Sequence, residues 1–197
     1  TFDRSENWLP LMRGSLMNRY TNLWNNNYYV LYGKNLGAPR DSKIFECKEK
    51  IIIRQTSDKI IATIITENII CRKNLHILIS EMVDHRFILG VLNSKLTNFY
   101  YQQINPEKGE VLAEVKKTHV EQLPIPKITS ENQQLHDDLV KLVEQMLKAK
   151  KEEQSAQSDH EKNLYKNLTE SLDYKINNLV YKLYNLTPEE IDLVENS

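Results

Sequence analysis

The chain has 197 residues, 40% hydrophobic and 27% charged, with only 5 Gly and 6 Pro. This size and composition suit one large folded domain or a domain with an extension, and exclude disordered and collagen-like classes. The formal charge of −1 conceals a division, because residues 1–128 carry 18 Lys and Arg against 13 Asp and Glu, whereas residues 129–197 carry 8 against 14. A polyanionic partner is therefore expected for the first part alone.

The opening TFDRSENWLP has neither the apolar core of a signal peptide nor an initiator Met, so the chain is expected to be a fragment of something longer. No apolar run approaches the length of a membrane span. Residues 1–27, with Trp8, Trp24 and the Asn25-Asn26-Asn27 cluster, read as irregular. Strand-like runs come next: YYVLYG from Tyr28, KIIIRQ from Lys50, KIIATII from Lys59 and LHILIS from Leu75. Thr56-Ser57-Asp58 has turn chemistry between the second and third. The unbroken Ile51-Ile52-Ile53 predicts a strand covered on both faces. Cys47 and Cys71 are too few for a disulfide framework or a zinc set. Read as small buried hydrophobes within strand-like runs, they fit a reducing cytoplasm.

From Ile88 to Gln103, apolar residues recur at three and four, the period of one amphipathic helix packed on the sheet. In Leu123 to Ile128, Pro124 and Pro126 fix φ and remove two donors, so the segment is extended and non-helical. Ser130 with Gln133 reads as a capping box. Two apolar stripes come next: Leu135, Leu139, Leu142, Val143, Met146 and Leu147, then Leu164, Leu168, Leu172, Ile176, Leu179 and Leu183. The polar stretch from Ala149 to His160 separates them, which predicts an antiparallel helical hairpin. Thr187-Pro188-Glu189-Glu190 caps one more short helix. The expected fold class is α+β: a small mixed or antiparallel β-sheet lobe with a packed helix over 1–128, then a helical-hairpin stalk with a short terminal helix over 129–197.

No Gly-rich phosphate loop, nucleophile elbow or H-E-x-x-H zinc motif occurs, and the five His show no metal spacing. Asp41 with Glu46-Cys47-Lys48 echoes the acidic pair and Lys that hold Mg²⁺ in many nucleases. Those carboxylates must converge from adjacent strands, however, and here they sit on one short segment. They read better as solvated charges, and no catalytic residue is assigned.

Several strings together resemble the TaqI-like C-terminal specificity domain of type IIG restriction–modification enzymes and related adenine-N6 DNA methyltransferases. They are Leu11-Met12-Arg13-Gly14 with Arg19-Tyr20, the stretch from Tyr29 to Arg40, and the strand from Phe45 to Gln55. LNSKLTNFYY, LPIPKI and the tail from Leu172 to Glu195 complete the set. The resemblance implies a target-recognition module for double-stranded DNA that performs no chemistry itself. It also implies an upstream catalytic domain in the same parent chain, which holds S-adenosylmethionine, methylates adenine and in some enzymes cleaves with Mg²⁺. Candidate DNA contacts lie on loops of the basic lobe: Arg13, Arg40, Lys43, Arg54, Gln55, Lys59, Arg72, Lys73, Asn74, Lys116 and Lys117. Arg, Gln and Asn can address base edges, whereas Lys more often meets phosphate. The alternatives are a Mg²⁺-dependent nuclease built on Asp41, Glu46 and Lys48, and an interaction scaffold held by its helical hairpin.

Overall fold

The computed structural model describes residues 7–197 other than 106, 108, 111 and 112. Its strands are β1 (Leu9–Met12), β2 (Met17–Asn18), β3 (Thr21–Asn22), β4 (Tyr29–Val30), β5 (Lys50–Arg54), β6 (Ala62–Ile65), β7 (Ile70–Cys71) and β8 (Leu75–Leu78). The helices are α1 (Lys43–Glu46), α2 (His85–Leu92), α3 (Lys95–Ile104), α4 (Lys117–Val120), α5 (Gln133–Ser155), α6 (Asp159–Leu183) and α7 (Pro188–Glu195). The fold is mixed α+β.

β5 is the centre of the lobe. It pairs antiparallel with β6 and β8, so that Ile52 faces both Thr63 and Ile77 across the ladders. Side chains alternate along a strand. Ile51 and Ile53 therefore enter one core with α2 and the long helices, and Ile52 enters a second core with Met12, Phe45 and Cys71. Both faces of the Ile run are covered, as its lack of alternation requires. The first core is continuous from Ile51 through Leu89 to Leu139 and Val180, so it crosses residue 128.

Residues 9–22, read as irregular, contain β1, β2 and β3. β1 is central to a sheet in which β4 lies antiparallel on one side and β7 parallel on the other. Pro10 hid it, but the β7 pairing covers only Leu11 and Met12, so the missing donor forfeits no bond on that side. Two strand runs shorten: only Tyr29–Val30 of the first pairs, and the third begins at Ala62. Cys47 is not in a strand but ends α1, whereas Cys71 lies in β7, where burial pushes its thiol up to about 11.

The single helix expected over 88–103 is two, α2 and α3, broken at Asn93-Ser94. Ser94 caps α3, its Oγ accepting from Thr97 N at 3.1 Å. Asn93 is 1% exposed and spends its amide on the edge of β6, where Oδ1 accepts from Ala62 N at 3.1 Å and Nδ2 donates to Ala62 O at 3.0 Å. The side chain thus satisfies a strand-edge N–H that would otherwise be orphaned, while Ala62 O also accepts from Tyr20 N at 3.0 Å.

The helical hairpin turns at residues 156–158, within the polar stretch that predicted it. Its capping boxes are Ser158 with Glu161 and, on α7, Thr187 with Glu190. Ser130 caps nothing: α5 starts after Asn132, whose Oδ1 is taken by Thr129 N at 2.8 Å. The seam buries Leu139, Val143, Met146, Leu172 and Ile176, but leaves Leu164 57% and Leu168 44% exposed near the turn, where the last turns of α5, Lys150 to Ser155, offer no apolar side chain. Gly90 sets how closely α5 approaches α2, for a Cβ there would lie 2.9 Å from Val143 Cγ2.

Candidate nucleic-acid interface

Most of the candidate contacts gather at one end of the sheets. β5 ends at Arg54, opposite Leu75 where β8 begins, and a tight turn closed by Leu75 N donating to Arg72 O at 3.0 Å leads into β8. Around this turn, Gln55 N donates to Asn74 O at 3.0 Å and Arg72 N to Met12 O at 3.0 Å, which brings in the end of β1 with Arg13. Val115 N reaches Gln55 O at 2.6 Å and carries Lys116 to the same end. Arg40 joins from its loop by donating to Lys73 O at 3.2 Å and Leu75 O at 2.9 Å. Lys59 stands on the β5–β6 connection beside them, and Lys117 opens α4 one residue after Lys116. Lys43 does not join the group. It opens α1, whose far end is held by Lys50, at the start of β5.

What each group can offer a ligand depends on what already holds it. The Arg13 guanidinium lies over Tyr28 at 4.8 Å from the ring centre. Arg54 donates to Met17 O and, at 3.4 Å, to Asn18 Oδ1, and burial pulls its pKa below the ordinary arginine value. Gln55 Nε2 donates to Glu114 Oε2 at 3.2 Å. Lys116 is held by Glu107 at 2.6 Å, an arrangement that raises the lysine and lowers the carboxyl, keeping both charged. Lys117 meets Glu121 at 3.2 Å. Asn74 presses on Gly14, where any Cβ would lie 3.2 Å from its Nδ2. Among the described residues, Lys43, Lys59, Arg72 and Lys73 remain exposed with no side-chain partner. At the gathered end Arg13, Arg40 and Arg54 meet only neutral groups and keep their charge, and the exposed cations with no side-chain partner are Lys59, Arg72 and Lys73.

Sequence reading missed a cleft of about 810 Å³ beside this end, between the β2–β3 turn, the β5–β6 connection and the helical hairpin. Lys59 lines it, as do Arg19, Tyr20, Asn93 and Asp173. Arg19 Nη2 donates to Asp173 Oδ1 at 2.6 Å and Asn93 O at 2.7 Å, so one side chain ties the turn to both α6 and the end of α2. Tyr20 has φ of 59°, a conformation that favours glycine, and is 3% exposed. The Arg19-Tyr20 pair was visible as a string. Its partner lies 154 positions away, and no local spacing reports that.

The acidic pair considered for a nuclease occupies the two ends of α1: Asp41 Oδ1 accepts from Lys43 N at 3.0 Å and Glu46 is its last residue. Among the described residues, no group of three or more His, Cys, Asp or Glu is placed to hold a metal ion, and no helix is long and apolar enough to cross a membrane.

The family model for the TaqI-like C-terminal specificity domain matches residues 9–125. The chain belongs to this family. The match spans the β lobe and the start of the Pro-locked segment, and includes every candidate contact from Arg13 to Lys117; the helical hairpin lies outside it. The specificity domain is also similar to a chain in the structure of the type IIL restriction–modification enzyme MmeI in complex with DNA. The two share 16% identity and a TM-score of 0.49, over 72% of this chain and 19% of that one. It spans about a fifth of the length of that relative. No curated protein matches the chain in sequence.

Proposed function

We propose that this specificity domain reads a base sequence in double-stranded DNA on behalf of a larger restriction–modification enzyme. The reading rests on convergence: residues far apart in sequence meet at one sheet end, and the cations left unpaired there are Lys59, Arg72 and Lys73. Three exposed cations with uncommitted side chains on turns suit a phosphate backbone, and a turn narrow enough to project can enter the major groove. In this proposal Arg72 addresses a base edge, with its planar fork matched to guanine, while Lys59 and Lys73 meet phosphates. Arg40, Arg54 and Gln55 hold the turn in place more than they touch DNA, because side-chain donors of each are committed to protein atoms.

The chemistry belongs to the parent enzyme. An upstream methyltransferase domain would bind S-adenosylmethionine and take the flipped adenine, while this domain fixes the register of the duplex. The 197-residue chain by itself then binds DNA without modifying it.

The test is binding of the chain to a randomised duplex pool across a salt series. Selection should enrich one motif, and affinity should fall steeply with salt. Arg72→Ala with Lys73→Ala removes one base contact and one phosphate contact, so it should blunt the enrichment and flatten the slope of log K against log salt by about 0.9. Enrichment of no motif, or a slope untouched by the double substitution, would overturn the proposal.

A further inference from the structure

The acidic helical hairpin carries one basic exception. On one flank of α5 and α6 lies a groove of about 440 Å³ lined only by these two helices. Leu142 and Leu179 form its apolar lining, and Lys141, Lys175 and Lys182 stand at its edges with a single carboxylate, Asp138. Lys141 lies 3.8 Å from that carboxylate, while Lys175 and Lys182 have no side-chain partner among the described residues.

The counterpart is on the same chain. α7 turns Val194 inward and projects Leu193, which is 61% exposed. One helical turn before it stand Glu189 and Glu190, and Asp192 precedes it, so an apolar knob sits among three carboxylates. Glu189 and Asp192 form no ion pair among the described residues. On its other side α7 is fastened, with Glu195 paired to Lys95 and accepting from Tyr181 Oη at 2.7 Å, so the knob is presented on a fixed base. Size and charge match on both sides: a leucine for an apolar slot, carboxylates for lysines.

A chain cannot seat its own α7 in its own groove, because Glu195 binds α7 to Tyr181 while the groove is lined by residues on another side of α6. Two copies can. The groove residues Lys175 to Lys182 lie on the last part of α6, and α7 comes directly after it in the chain, so a two-fold axis near that end places each α7 on the other copy. We propose that the groove is a self-association site that receives α7 of a second copy, Leu193 entering between Leu142 and Leu179 while Glu189 and Asp192 meet Lys175 and Lys182. The interaction does not involve the sheet end and is independent of DNA reading.

Charge exchange between two variants tests it. Sedimentation of the 197-residue chain at about 100 μM, a concentration that populates weak complexes, should show a dimer. Lys175→Glu with Lys182→Glu, and separately Glu189→Lys with Asp192→Lys, should each sediment as monomer. Mixed one to one, they should recover a dimer, since each groove then faces an α7 of opposite charge. Recovery on mixing also shows that both variants are folded. A wild-type monomer at that concentration overturns the proposal, as does a dimer indifferent to both reversals or a mixture that stays monomeric. A monomer whose DNA affinity drops on Lys175→Glu with Lys182→Glu would assign the groove to nucleic acid instead, and so also overturns it.

Discussion

The contact between the β lobe and the long helices can be tested at one atom. A Cβ at Gly90 would lie 2.9 Å from Val143 Cγ2, 3.0 Å from Leu139 Cδ1 and 3.2 Å from Leu139 Cγ. Val143 is β-branched in a helix and held to one rotamer, so it cannot turn away, whereas Leu139 can shift its terminal methyls. Both are 0% exposed, with no space behind them to retreat into. Gly90→Ala therefore sets an overpacking cost of roughly 1–3 kcal/mol against a helix-propensity gain of about 1 kcal/mol, for a net loss near 1 kcal/mol. Gly90→Val adds two further atoms to the same space and should cost at least about 2–3 kcal/mol. Urea unfolding should show lower midpoints at unchanged slope. The decisive measurement is a cycle with Val143→Ala, which removes the obstructing methyl. The double variant should be more stable than the sum of single effects predicts by about 1 kcal/mol. A stabilising Gly90→Ala, or strict additivity in the cycle, would refute the close approach of α5 to α2.

Three further outcomes are expected. Asn93→Leu leaves the buried Ala62 N–H without an acceptor, while Tyr20 N still donates to Ala62 O at 3.0 Å, so it should cost about 1–3 kcal/mol and abolish hydrogen-exchange protection of the Ala62 amide; retained protection would show that the pairing is dispensable. Lys50 is 0% exposed and donates to the carbonyls of Phe45, Cys47 and Glu67, with burial lowering its pKa below the ordinary 10.5. Lys50→Met strands those three carbonyls and should destabilise. A folded-state pKa below the unfolded one means that the unfolded chain binds more protons, so wild type should gain on Lys50→Met as pH rises toward 10.5; a difference constant across that window would contradict it. Lys116→Ala with Lys117→Ala should weaken DNA binding by the same factor on every duplex, and less than Arg72→Ala with Lys73→Ala does, because Glu107 and Glu121 already hold both ammonium groups. Equal salt slopes for the two double variants would count against dividing the cations into paired and unpaired.

Patterns confined to neighbouring residues were readable in advance. The Ile51-Ile52-Ile53 run, the polar turn of the helical hairpin and the Thr187 cap each depend on local periodicity or local hydrogen bonding, and each stands as expected. What failed depended on a distant partner. A helix period continues through Asn93 and Ser94; Ser94 is a local cap for α3, but the use of Asn93 on the Ala62 edge is set by a strand 31 positions away. β1 is a strand because β4 and β7 flank it, not because LPLM is a strong strand sequence. Leu164 and Leu168 keep the period of a buried stripe where the facing end of α5, Lys150 to Ser155, is entirely polar. The same rule governs the candidate interface. Residue type and loop position selected eleven side chains, but which are free was decided largely by Tyr28, Met17 and Glu107, which no local spacing identifies; only Glu121, four residues after Lys117 on α4, stood at a readable spacing.

If the lobe reads DNA as proposed, its reading end must be held at a constant angle, and side chains of opposite kinds provide the bracing here. The break at Asn93 redirects the chain so that α3 lies against α6, where Lys95 N donates to Asn177 Oδ1 at 2.8 Å. Arg19 then spans from the β2–β3 turn to Asp173 on α6, and Tyr184 Oη, just past the end of α6, donates to Pro124 O at 2.5 Å at the start of the Pro-locked segment. These three ties join α6 to different parts of the lobe, so rotation about any one is opposed by the other two. The Tyr20 backbone supports this arrangement. Its left-handed conformation costs roughly 1–2 kcal/mol for a non-glycine residue, a penalty that glycine would avoid. Glycine would, however, surrender a side chain 3% exposed in the shared core, worth more than the strain at about 25 cal/mol per Å² of apolar area. The strained turn is retained because it keeps Arg19 within reach of α6 while Tyr20 fills the space beneath it.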